Sequence, residues 1–192
     1  GDVEAYARHL QSLSLRNLDT VSDHAMYWTL LTRADRTTEA IKMAQEFTRA
    51  PASPMETVRL ADAYYQLGMA GATRELLKKT APAFSNSPEV WVAYAAVLER
   101  ASDWTDMRAI ALRIREEKNS RDTLWGFAYY LEGRAELAEK RLSSAERAFE
   151  KAVECNYEIP PLGMSVANEL RKLKYPSFAL KLYQSLERSF DN

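Results

Sequence analysis

The sequence predicts an all-α fold: an α-solenoid of about five helical hairpins preceded by a single N-terminal helix. Three observations carry this expectation. Apolar residues recur with a helical period near 3.6 and never alternate over the bounded length of a strand. Serine–proline pairs and glycine mark the ends of periodic segments, where proline in the first helical turn and glycine between helices cost least. The pattern then recurs at intervals of 33 to 38 residues, the spacing of stacked two-helix units.

Residues 1–20 read as a lone amphipathic helix, with Val3, Tyr6, Leu10 and Leu13 on one face and Asp2 as its N-cap. This helix is either a cap on the array or the second half of a cropped repeat. The array, 21–192, divides into repeats beginning at Val21, Pro54, Pro88, Gly126 and Pro160. Ser53-Pro54-Met55-Glu56 and Ser87-Pro88-Glu89 are helix starts: serine caps, proline takes the first helical position, and the acid lies near the positive helix end. From Pro54 one helix runs to Gly68, and a second covers about Thr73 to Phe84. The interval from Pro88 to Gly126 is longer than its neighbours, and the polar stretch 116–121 is where a linker absorbs the insertion.

Two helices of a hairpin approach closely only where the crossing point lacks bulk. The eighth positions of the five repeats are Trp28, Ala61, Ala95, Gly133 and Ala167, and the twentieth are Ala40, Thr73, Met107, Ala145 and Ala179. Eight of these ten are small, as tight crossings require. Larger residues, among them Trp91, Tyr94, Leu98, Tyr129, Phe149, Leu170 and Tyr183, take the intervening core positions.

The residues 133–152, Gly-Arg-Ala-Glu-Leu-Ala-Glu-Lys-Arg-Leu-Ser-Ser-Ala-Glu-Arg-Ala-Phe-Glu-Lys-Ala, resemble the tetratricopeptide repeat consensus almost throughout, and 60–68 is also similar to it. The resemblance covers roughly 21–190, with Trp28 and Met107 departing at positions the family keeps small. It implies a right-handed solenoid whose concave face is lined by the first helix of each repeat.

Composition narrows the function. A formal charge of −1 supplies no general attraction to phosphate backbones, so nucleic acid is not an expected partner. The longest apolar run, 90–98, is roughly half of the ~18 residues a membrane span needs, so this segment is not expected to insert in a bilayer. Cys155 is the single cysteine, which excludes an internal disulfide and a thiolate metal site; it reads as a small core hydrophobe. His9 and His24 fit no metal-ligand spacing, and the six glycines form no phosphate-cradling loop. No metal, no cofactor and no catalysis are expected.

The concave face that the resemblance implies carries Met26, Thr29 and Arg33, then Val58, Arg59, Asp62 and Tyr65, then Val92, Ala93 and Ala96. Tyr130, Arg134 and Leu137 follow, then Met164, Asn168 and Arg171. The candidate binding residues are Arg59, Asp62, Tyr65, Val92, Ala96, Tyr130, Arg134 and Asn168: the two tyrosines as rigid anchors, and Arg59 and Arg134 as donors to carboxylate or carbonyl groups. One subfamily holds chaperone tails with lysine and asparagine at the fifth and ninth positions; no repeat here has that pair. The expected function is a protein-protein interaction scaffold holding a peptide or protein segment, within a longer parent protein. The alternatives are self-association through the solenoid ends, an assembly module of a bacterial envelope export or secretion complex, or the recruiting arm of an absent catalytic domain. The compartment stays open between cytoplasm and envelope.

Overall fold

Eleven α-helices account for most of the residues that the computed structural model describes, 2–117 and 122–190, and no strand occurs among them. Most of the linker expected at 116–121 lies outside the described residues. The chain divides into two compact units, Gly1–Val97 and Leu98–Asn192.

Unit 1 contains α1 (Asp2–Leu15), α2 (Val21–Arg33), α3 (Thr37–Glu46), α4 (Pro54–Gln66), α5 (Ala70–Thr80) and most of α6 (Pro88–Arg100). Two starts are set by side-chain caps. Thr20 and Asp23 form a reciprocal capping box, with Asp23 N–H donating to Thr20 Oγ1 at 3.2 Å and Thr20 N–H to Asp23 Oδ2 at 2.7 Å. Ser53 accepts from Glu56 N–H at 3.2 Å ahead of Pro54, while the Glu56 carboxylate takes the Ala52 N–H at 2.7 Å. Asp2 differs from its expected role: it is the first residue of α1 itself.

Packing in unit 1 follows hairpin logic, with α2 against its partner α3 and against α4, the equivalent helix of the next hairpin, while α1 lies on α2. One core joins them, and Leu31 and Leu60 are among its fully buried side chains. Each such leucine contributes about 1.5–3 kcal/mol through lost apolar surface. Trp28, at a position where the repeat pattern wants a small residue, is 1% exposed. Its bulk is absorbed by an aromatic cluster, stacked on Tyr64 at 5.8 Å and edge-on to Phe47 at 5.2 Å. His24 is structural, with Nε2 2.8 Å from Asp19 Oδ2 and its ring 4.8 Å from Phe47.

Unit 2 contains the end of α6, then α7 (Trp104–Glu116), α8 (Asp122–Ala138), α9 (Leu142–Glu154), α10 (Pro160–Lys172) and α11 (Pro176–Phe190). Here α8 packs on α7, α9 and α10, and α9 packs on α11. The first helix of the fourth repeat starts at Asp122 rather than at Gly126, so Gly126 lies within α8. It is needed there for space: a Cβ would stand 2.6 Å from the Tyr157 hydroxyl oxygen. At Gly133 a Cβ would overlap the Phe149 ring, which places α8 and α9 in backbone-close contact beside the buried Ala145.

The hairpin turns write the repeat into the backbone. Asp35, Gly68, Ser102, Lys140 and Lys174 all have positive φ, between 53 and 74°. Each is followed by a residue whose N–H reaches back five positions: Arg36 to Leu31, Met69 to Tyr64, Asp103 to Leu98, Arg141 to Glu136 and Tyr175 to Leu170, all at 2.9 Å. This is the left-handed helix terminus that satisfies orphan carbonyls and reverses the chain in a short turn. Only one of the five residues is glycine; the others take the left-handed conformation against the preference of their Cβ.

Candidate functional site

The first-helix residues singled out by sequence fall into two environments, one in each unit. In unit 1, α2, α4 and α6 present Met26, Met55, Tyr65 and Val92 with 51, 60, 41 and 37% of their surface exposed. Arg59 and Asp62 lie beside them, both exposed, and Ala96 is half-buried. Helical spacing explains this face, because the residues between, Leu60, Ala61, Ala63 and Tyr64, turn into the core.

Two concavities are cut into the unit 1 surface. Between α2 and α4 a groove of about 310 Å³ is lined by Ser22, Ala25, Met26, Thr29, Arg33 and Arg59. Between the starts of α4 and α6 an apolar cleft of about 510 Å³ is bounded by Pro54, Met55, Val58 and Pro88, with Glu89 at its edge. Met55 was missed by the concave-face pattern. Its signal was a large apolar residue directly after a proline at the first helical position, too early in the helix to reach the hairpin core.

Unit 2 treats its candidates differently. Tyr130 is only 6% exposed, packed against Phe127 at 6.2 Å and Phe149 at 6.3 Å. Burial pushes its hydroxyl up to about 12, with the nearby Arg134 opposing that rise. Arg134 donates to Tyr130 Oη at 3.0 Å and pairs with the Glu99 carboxylate. The expectation that Tyr130 is an exposed anchor and Arg134 an open donor is therefore corrected. A tyrosine at this position is long enough to fold over its aromatic neighbours, and the arginine's acceptors are already supplied by the protein. Asn168 is half-buried and accepts a hydrogen bond from the Tyr183 hydroxyl at 2.8 Å.

A second group of charges in unit 2 is organised around the end of α8. Arg108 Nε donates to Glu136 at 3.0 Å and Arg108 Nη2 pairs with Glu139 at 2.6 Å, while Arg141 pairs with both carboxylates. These guanidinium groups, Arg141 foremost, hold the Glu136 carboxyl down at about 2. Tyr129, placed in the core by sequence, is half-buried with Arg115 at 4.8 Å and Lys151 at 5.4 Å from its ring centre. Cys155 is likewise half-buried rather than a core residue: it is the C-cap of α9, where its thiol donates to the Lys151 carbonyl at 3.4 Å. No cluster of metal-ligating side chains occurs among the described residues, and none of their helices is long and apolar enough to cross a membrane.

Fold and surface define an all-helical chain built from repeated helical hairpins. No family model matches it, and no curated protein does. Solved structures similar to it include those of MamA. A crystal structure of MamA is 16% identical, with 84% of this chain and 92% of that chain covered at a TM-score of 0.45. MamA 41-end from Desulfovibrio magneticus RS-1 is 18% identical, covering 91% of this chain and 98% of that one at a TM-score of 0.46. MamA MSR-1 C2 is 16% identical, covering 86% and 98% at a TM-score of 0.43.

Proposed function

We propose that this chain is a non-catalytic, protein-binding scaffold of the tetratricopeptide type, holding a peptide or protein segment against the α2–α4–α6 face of unit 1. The observation that carries the reading is the exposure of Met26, Met55, Tyr65 and Val92 on helices whose other faces are packed. Large apolar side chains at the surface matter when they are contiguous and rimmed by polar groups, and Arg59 and Asp62 supply part of that rim. Met and Tyr also suit such a surface, since the thioether adapts to varied contours and the ring adds contact area at low entropic cost.

The test is capture of a natural partner, followed by Met55→Ser and Val92→Asp in the intact chain. Both positions are exposed, so the melting temperature should hold while affinity falls at least tenfold, about 1.4 kcal/mol. Undiminished binding in both variants would reject this face. Self-association is a second reading, favoured by Leu15 and Leu18, which are 81 and 53% exposed at the end of α1 and in the turn that follows. Sedimentation across a hundredfold concentration range separates the two: a constant monomer excludes self-association.

A further inference from the structure

The groove between α2 and α4 is lined by charge of one sign. Arg33 and Arg59 line it from opposite helices, and neither makes a hydrogen bond or ion pair among the described residues. Two other guanidinium groups of unit 1 are engaged: Arg36 pairs with Glu39 at 2.8 Å and Glu4 at 3.0 Å, and Arg49 pairs with Asp19 at 3.2 Å. No carboxylate is among the six residues that line the groove. Thr29 has committed its hydroxyl proton to the Ala25 carbonyl at 3.0 Å, which leaves the two arginines as the charged donors. The rest of the lining is Ser22 and Thr29 together with the apolar Ala25 and the half-exposed Met26.

Two unpaired guanidinium groups sharing a groove with a methionine form a complement to a segment that carries carboxylates together with an apolar side chain. Each guanidinium can give a carboxylate two parallel hydrogen bonds, which a lysine could not reproduce. The thioether accepts apolar side chains of differing shape. We infer that the α2–α4 groove of unit 1 is the docking site for an acidic peptide segment with an apolar anchor, and that Arg33 and Arg59 select it by charge. This rests on the scaffold function proposed above and deepens it. A phosphate-rich single strand is disfavoured, because a chain of net charge −1 lacks the extended basic track that such a ligand follows.

The experiment uses the full chain and three series of synthetic peptides, each about 12 residues long, the length of a short groove-bound segment, with identical leucine and phenylalanine positions. Their remaining positions are aspartate and glutamate, serine and asparagine, or lysine and arginine; a uridine oligomer of matched length is the fourth probe. Fluorescence anisotropy is read at low and high salt, with circular dichroism confirming helicity of each variant. The expected result is selective binding of the acidic series, weakened at high salt. The Arg33→Glu and Arg59→Glu double variant should lose at least tenfold for that series and gain affinity for the basic one. Met26→Ser should weaken acidic binding while preserving the preference for acid. Equal binding of neutral and acidic series, or acidic binding untouched by charge reversal, overturns the inference while leaving a protein-binding face in place. Preferential binding of the uridine oligomer, or of no probe, overturns it as well. The partner-capture variants at Met55 and Val92 then decide the scaffold reading separately.

Discussion

Val92 in unit 1 and Tyr130 in unit 2 occupy the same position of their repeats, the fifth, yet one is 37% and the other 6% exposed. The sequence pattern assigns both one repeat position, and the side chains make different contacts. Valine is too short to reach beyond its own helix and remains at the surface. Tyrosine reaches Phe127 and Phe149, gains apolar contact there, and is held by Arg134, which Glu99 in turn neutralises. Position in a repeat therefore predicts where a Cα points, whereas accessibility depends on what the side chain can reach.

The sharpest way to probe the packed side of this comparison is Phe149→Ala. Phe149 is 0% exposed and fills the space that Gly133 leaves open, so the cavity should cost about 3–5 kcal/mol in denaturant unfolding. Gly133→Ala tests the same contact from the opposite helix. Its new methyl group overlaps the buried ring, and about 1–3 kcal/mol should be lost, with a smaller loss when Phe149→Leu is made in the same chain. Additive losses would mean that the two residues are not in contact.

Smaller effects separate the charged network of unit 2 from the open groove of unit 1. The folded state depresses Glu136 from its ordinary 4.5 to about 2. Its contribution is then fully present above about pH 4.5 and is lost as pH falls toward 2, because the unfolded chain takes up the proton first. Thermal melts should show Glu136→Gln destabilised at pH 7 and converging on the unmodified chain as the pH approaches about 2. A pH-independent gap would place the effect in shape rather than charge. The smallest expected change is at the hairpin turns: Lys140→Gly, at φ 63°, should stabilise by about 0.5–1 kcal/mol, whereas Gly68→Ala, at φ 74°, should cost about the same.

Much of this fold was legible in the residues because helix boundaries and crossings have local causes. Ser53 with Pro54 names a helix start, and small residues such as Ala61, Ala145 and Ala167 name the crossings, where all three are buried. The start of α8 at Asp122 was not legible, since Gly126 reads as punctuation until Tyr157 is seen against it. The candidate face was legible only in part. Spacing identified Arg59, Asp62, Tyr65 and Val92, but the Tyr130–Arg134–Glu99 arrangement depends on a residue 35 positions from Arg134, which no local pattern reports. Met55 belongs to no repeat-wide apolar position, so its place directly after Pro54 was its one local signal, and its exposure marks it in the structure.

The most direct measurement compares Tyr65→Ala with Tyr130→Ala, each assayed for affinity to a captured partner and for melting temperature. Tyr65 is 41% exposed on the proposed binding face and Tyr130 lies beneath its own arginine. Tyr65→Ala should weaken binding at least tenfold with the melting temperature held, and Tyr130→Ala should lower the melting temperature with the affinity of the folded fraction unchanged. The reverse pattern, affinity lost through Tyr130 at constant stability and untouched by Tyr65, would contradict the division between an open face in unit 1 and a packed one in unit 2.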